Sequence, residues 1–296
     1  MRKIVEEDVV KMRELVRELF PGEVIQSVQR LGGLTNHTYY VMLNQEEITI
    51  RIPGEGTEEL INRREEYIST DLACRLGIDS RLIYFEQETG VKVARYIPDA
   101  VTMSPDSMKE EENICLAADI LKRLHSCGGN TGVAFDVFDT AKGYEKIIRE
   151  HDVPLFDDYE EVSRCVREIR QRAFCPKEKW VPCHNDPLCE NWVRSGERMY
   201  LIDWEYAGMN DPMWDVADIA LEAGYERKQE VVLVEHYLGH DITDEERESF
   251  RANKIYIDFL WSLWGKTRVP YDGESMETYA RERYIRLREN IKNYYK

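Results

Sequence analysis

Asp186, Asn191 and Asp203 have the types and spacing that phosphoryl transfer from ATP demands. They lie in His184-Asn185-Asp186-Pro-Leu-Cys-Glu-Asn191 and Leu201-Ile202-Asp203-Trp204-Glu205. A hydroxyl that attacks phosphorus must give up its proton, so a carboxylate has to sit within hydrogen-bond reach of it. Asp186 is the candidate base. Magnesium is a hard cation that takes oxygen ligands, and ATP-dependent sites hold it with one or two side chains plus the phosphates. Asn191 and Asp203 fit that part. The order of an Asp, an Asn five positions on and a further Asp is also that of the protein-kinase catalytic and metal-binding residues.

An isolated Asp-x4-Asn is common in soluble chains, and an Ile-Asp-Trp run can simply end a strand. The combination carries the weight. His184 opens the loop and is grouped with Asp186 as its orienting partner through a hydrogen bond. The strand expected over Met199–Asp203 follows a Ser195-Gly196-Glu197-Arg198 turn and delivers Asp203 at its end. His184 and His125 lack the spacing of a zinc site, and magnesium prefers oxygen.

These strings, with Ile202-Asp203-Trp204-Glu205-Tyr206-Ala207, Asn210-Asp211-Pro212 and Trp214-Asp215, resemble the choline/ethanolamine kinase branch of the aminoglycoside-phosphotransferase-like family. Bacterial choline kinases are the most similar, and the resemblance runs from about Leu31 to about Tyr284. It implies an α+β, two-lobe, protein-kinase-like fold. Residues 1–98 would form a small antiparallel-sheet lobe that binds the nucleotide, and residues 99–296 a larger, mainly helical lobe for catalysis and substrate. ATP and Mg2+ would occupy the cleft, and the reaction would convert choline to phosphocholine. A kinase of the same fold acting on ethanolamine, an aminoglycoside or another alcohol would share every catalytic residue. A protein kinase is disfavoured by the missing Asp-Phe-Gly and Ala-Pro-Glu strings.

The elements that must position these groups are legible in outline. Apolar residues at helical spacing over Glu6–Phe20 end at Pro21-Gly22. Strand-like runs follow at Val24–Leu31, His37–Leu43 and Glu47–Ile52. The turn Leu31-Gly32-Gly33-Leu34-Thr35-Asn36 joins the first two, and glycine there lets backbone amides approach phosphate. Gly32, Gly33, Thr35 and Asn36 are thus nucleotide candidates. Arg51 stands where related kinases place the cation that touches the phosphates, and the helix over Leu60–Leu76 offers Glu66, or the adjacent Glu65, as its partner. A strand over Val91–Ile97 would bring backbone near Tyr96 and Ile97 to the adenine ring. From Pro105 helical patterns dominate, and Ile114–His125 is strongly amphipathic.

The acceptor side turns on aromatic residues. A trimethylammonium group is attracted to ring faces. Trp261 and Trp264 lie three apart on one helical face, with Tyr279 downstream. In choline kinases a similar Trp-x-x-Trp pair and a later Tyr line the choline pocket, and an acidic residue seven after the equivalent of Asp215 adds charge. That residue here is Glu222, with Tyr225 close by.

Composition agrees. A chain of 296 residues with 43% hydrophobic content can bury a real core. The net charge of −17 argues against nucleic acid, which calls for a basic surface. No run approaches a membrane span and the first residues are not a signal peptide, so a cytoplasmic protein with a small-molecule partner is expected. The seven cysteines show no Cys-x-x-Cys pairing, which favours reduced, mostly buried thiols.

Overall fold

The computed structural model describes residues 4–32, 36–54, 56–57, 60–173 and 175–295. In chain order its first elements are α1 (Glu6–Leu19), β1 (Ser27–Arg30), β2 (Asn36–Met42), β3 (Glu47–Pro53), α2 (Arg63–Arg75), β4 (Leu82–Phe85), β5 (Lys92–Arg95) and β6 (Val101–Thr102). Then come α3 (Pro105–Met108), α4 (Glu111–His125), α5 (Val137–Glu150), α6 (Tyr159–Arg172), β7 (Val181–Cys183), β8 (Trp192–Ser195), β9 (Arg198–Leu201) and β10 (Gly208–Asn210). Four helices finish the chain: α7 (Pro212–Glu222), α8 (Arg227–Leu238), α9 (Asp244–Asp272) and α10 (Glu274–Tyr294). The plan is α+β, as expected.

The chain divides into two compact units, Met1–Val101 with Val193–Glu205, and Thr102–Trp192 with Tyr206–Lys296. From sequence, everything after residue 98 is assigned to the second lobe; in the structure the β8/β9 hairpin and the segment through Glu205 pack with the first. The backbone N–H of Leu201 donates to the Ile78 carbonyl at 3.1 Å, which stitches β9 to the end of the α2 region.

The first unit is built on an antiparallel sheet in the order β1-β2-β3-β5-β4. Its register sets Tyr39 opposite Ile50 and Ile50 opposite Val93. Because side chains alternate across a sheet, these three share a face, with Val41, Ile48 and Ile52. That face packs against Met12, Leu15 and Val16 of α1 to form the core. Each fully buried aliphatic side chain there contributes about 1.5–3 kcal/mol. The same register puts Thr38, Arg51 and Lys92 on the opposite face, so alternation alone turns Arg51 away from the core. Asn62 caps α2, its side-chain oxygen accepting from the N–H groups of Arg64 and Glu65.

In the second unit α9 is the central element. It is buried almost continuously from Phe250 to Arg268, as befits a helix surrounded by others. A capping box between Thr243 and Glu246 starts it. The packing of α10 along α9 depends on Gly265: a Cβ there would lie 2.8 Å from Tyr279 Cδ1 and 3.0 Å from Ala280 Cβ. Tyr279 is thereby held beside Trp264, ring centroids 5.6 Å apart. Among the described residues no helix is long and apolar enough to cross a membrane.

Candidate active site

In the first unit a buried charge cluster surrounds Arg51. Its Nη1 lies 3.1 Å from Asp203 Oδ1 and 3.5 Å from Glu205 Oε1, and its Nη2 lies 2.5 Å from Glu66 Oε1. Nη2 also donates to the Gly90 carbonyl at 2.9 Å. Arg63 bridges Glu66 and Glu205 at 2.8 and 2.5 Å. Gly90 is required here: it has φ +80°, and a Cβ would fall 2.4 Å from Arg63 Nε. The three carboxylates around Arg51 raise its proton affinity further, against the burial that opposes it. The candidate partner of Arg51 is therefore Glu66, while Glu65 lies on the exposed side of the helix.

The resemblance makes Arg51 a cation that touches phosphate and pairs with an acid of α2; the structure shows the Glu66 pair and spends both terminal nitrogens of Arg51 on carboxylates and a carbonyl. Only its buried Nε has no partner among the described residues. Arg51 thus positions Asp203. Of the three acidic side chains, those of Glu66 and Glu205 are 0% and 5% exposed and that of Asp203 is 32% exposed. Only Asp203 can present an oxygen to a hydrated cation. It leaves β9 in the left-handed region, φ 69°, which Asp tolerates better than most residues.

Gly33 and Thr35 lie outside the described residues. At Gly32 an added Cβ would meet nothing within 4 Å. Asn36 is buried with its Oδ1 unpartnered among the described residues. The N–H of Tyr96 donates to Glu47 O at 3.0 Å, so it is not available to an adenine edge, and its ring stands on Tyr40 at 4.6 Å. Tyr96 and Ile97 line a cavity of about 780 Å³ in this unit.

In the second unit the loop between β7 and β8 is held by α7. The Asp215 carboxylate accepts from the N–H groups of His184 at 2.7 Å and Asn185 at 2.8 Å, and His125 Nε2 approaches it at 3.1 Å. Sequence offered no acid for His125; the partner is 90 residues away. Asn185 sits at φ 68°. Its amide donates to Tyr206 O and accepts from Asn210, and its carbonyl accepts from Trp214 Nε1, each at 2.9 Å. These bonds offset the cost of a left-handed backbone and present Asp186, half-buried, at the head of the loop.

His184 is fully buried, and its Nδ1 accepts from the Asp186 N–H at 3.3 Å. Its place is behind the loop, as a positioning residue, with no surface to meet a substrate. Asn191 donates its amide to the Asp186 carbonyl at 2.9 Å. That bond fixes the amide orientation and leaves Oδ1 as the end able to face a cation.

The aromatic residues do gather. Tyr206 and Trp261 stand edge to face at 5.1 Å, Trp261 and Trp264 at 6.1 Å, and Trp264 and Tyr279 follow. Trp264 Nε1 donates to Tyr206 Oη at 2.7 Å, whereas the buried Trp261 Nε1 has no partner among the described residues. One face of Tyr279 is taken by the Arg283 guanidinium at 4.9 Å. Burial raises the Tyr279 hydroxyl pKa, and Glu222, Asp186 and Asp218 add to the shift against Arg283. Those five side chains therefore share one electrostatic neighbourhood. Tyr206 escaped the sequence reading.

Two acceptor-side candidates turn out to be occupied. Tyr225 donates to the Met108 carbonyl at 2.6 Å from a buried position, so its polar end serves packing. Glu222 is gripped by both terminal nitrogens of Arg283, so its carboxylate already has a cationic partner. Asp218, one turn before Glu222 on α7, is fully buried, and neither of its oxygens has a hydrogen-bond partner among the described residues. Sequence passed over it, although Asp215, Asp218 and Glu222 at spacings of three and four mark one helix stripe.

Residues 28–258 match the family described as choline/ethanolamine kinase. The LicA protein of Haemophilus influenzae is 27% identical over 260 residues, covering 86% of this chain and 76% of that protein. The structure of choline kinase LicA from Streptococcus pneumoniae is 32% identical with a TM-score of 0.82, over 96% of this chain and 98% of that one. A LicA structure in complex with AMP has 31% identity and a TM-score of 0.80 over the same shares.

Proposed function

The chain belongs to the choline/ethanolamine kinase family, and on that premise we propose that it transfers the terminal phosphate of ATP to the hydroxyl of choline, giving phosphocholine and ADP. The observation that carries this reading is the β7–β8 loop: Asp186 is presented at its head, braced by His184, Asn191 and the Asp215 anchor. A base held this rigidly costs no reorganisation when the reaction begins. Similarity to the pneumococcal choline kinase supports choline as the acceptor.

Asp186 accepts the proton of the choline hydroxyl as its oxygen forms the new bond to phosphorus and the bond to the ADP oxygen breaks. Magnesium, when bound, would neutralise the phosphate oxygens; Asn191 in the second unit offers an amide oxygen of fixed orientation and Asp203 in the first a part-exposed carboxylate, each by itself a donor of the kind magnesium takes. Arg51 holds Asp203 in place. Tyr206, Trp261, Trp264 and Tyr279 supply the apolar, ring-lined surface suited to methyl groups that carry positive charge.

The test is ATP turnover with magnesium against choline, ethanolamine and a kanamycin-type aminoglycoside in parallel. A strong preference for choline is expected; preference for another acceptor would discard choline and keep the kinase. Asp186→Ala should abolish turnover while leaving nucleotide binding in place, and near-normal turnover would remove the assigned base.

A further inference from the structure

A cavity of about 320 Å³ opens in the second unit where the start of α8, the N-terminal part of α9 and the end of α10 meet. It shares no residue with the β7–β8 loop or with the ring group of Trp261, Trp264 and Tyr279. Four cations line it, Arg227, Arg247, Arg251 and Lys254, against one carboxylate, Glu230. The chain as a whole has the opposite balance, 40 Lys and Arg against 57 Asp and Glu. The hollow therefore concentrates the minority charge.

Glu230 pairs with Lys254. Other acids along these helices are committed as well: Glu248 accepts from the Tyr294 hydroxyl at 2.7 Å, Glu246 caps α9, and Asp258 holds Arg286 at 2.7 Å. Arg247 reaches only the Ile242 carbonyl, at 3.5 Å, and Arg227 and Arg251 have no hydrogen bond or ion pair among the described residues. Elsewhere Arg51, Arg63, Arg268, Arg283 and Arg286 each hold a carboxylate. Three guanidinium charges at this one hollow do not. Arg247 and Arg251 also stand four residues apart on one face of α9, a spacing at which like charges destabilise a helix. An anion between them would reverse that effect.

The chemistry of the lining narrows the anion. A guanidinium presents paired N–H donors that match the oxygens of a phosphate, and Arg227 joins the α9 pair from α8. Val231, Val234 and Phe250 give the same hollow an apolar wall, which suits the carbon body of an ester and not a bare hydrated ion. The volume lies at the low end of small-molecule sites.

We propose that this hollow binds a small phosphate monoester, with Arg227, Arg247 and Arg251 holding the phosphate. The site is separate from the kinase reaction and independent of which acceptor the enzyme uses.

The test is calorimetry on the full chain with its nucleotide site filled by ADP, with glycerol 3-phosphate as the probe. A second arm uses phosphatidylcholine vesicles with and without phosphatidic acid, which presents the same monoester on a lipid. Saturable binding of glycerol 3-phosphate is expected. The double variant Arg227→Gln, Arg251→Gln should weaken it roughly tenfold or more, since two charged hydrogen-bond donors are lost. Both side chains are exposed, so melting temperature and ATP turnover without the probe should not change. Binding confined to the phosphatidic acid vesicles and weakened in the variant would uphold the site and assign it to a lipid headgroup. Three results would overturn it: no binding in either arm, binding equal in wild type and variant, or sulfate binding as tightly as the ester at matched ionic strength.

Discussion

Asn191 donates its side-chain amide to the main-chain carbonyl of Asp186 at 2.9 Å, so the residue offered to the metal also sets the backbone that carries the base. Asn191→Ala removes both functions. Apparent magnesium affinity should fall about 10–100-fold, with a loss of kcat that saturating magnesium does not restore. A magnesium titration of turnover checks this; full recovery at high magnesium would confine Asn191 to the metal.

Asp215 supports the loop from beneath. Asp215→Ala strands the N–H groups of His184 and Asn185 in a buried setting. At about 1–3 kcal/mol for each unsatisfied group, the loss should be about 3 kcal/mol, read as a lower denaturation midpoint. A midpoint within error of wild type would mean that the loop is held by something other than this carboxylate.

Gly265→Ala should act on the acceptor and spare the nucleotide. The added methyl meets Tyr279 and Ala280 at 2.8 and 3.0 Å, so α10 or the Tyr279 ring has to shift, at about 1–3 kcal/mol. KM for choline should rise well above any change in KM for ATP. Trp264→Ala should show the same asymmetry by removing one ring outright; equal losses for both substrates, with a lowered melting temperature, would make Trp264 a packing residue alone.

The cysteines should be quiet. Burial pushes the thiols of Cys74, Cys175 and Cys189 up to about 12. The thiolate is the reactive form, and a group with that pKa is present as thiolate at only about one part in ten thousand at pH 8. Iodoacetamide labelling of the native protein followed by mass spectrometry should therefore be roughly a thousandfold slower at these positions than in the unfolded chain. Rapid native labelling of Cys189 would contradict this. Only Cys183 and Cys189 are fully buried and the other five are half-buried, fewer than composition alone suggested.

What could be read from sequence was local. Asp186 and Asn191 sit within six residues, so their relation needs no knowledge of the fold. The sheet face of Arg51 follows from strand alternation, and its approach to Glu66 from the family resemblance. Partners distant in the chain were another matter. Arg283 pairs with Glu222 across 61 residues, and Met108 takes the Tyr225 hydroxyl across 117. Both residues look like ligands until those partners are seen. Asp218 failed in the opposite way, because within a helical pattern it reads as an ordinary surface acid, and only its burial without a partner sets it apart.

The return of residues 193–205 to the first unit means that this unit is not a contiguous cassette. A fragment ending at Val101 would carry Arg51 and Arg63 but lack Asp203 and Glu205, two of the carboxylates that neutralise them. During synthesis the small unit must wait for about a hundred further residues before its charge cluster is complete. A lobe exchanged with a relative's by a single splice would therefore be left with an unbalanced pair of arginines, and a working chimera of this architecture has to carry the β8/β9 hairpin along with the sheet.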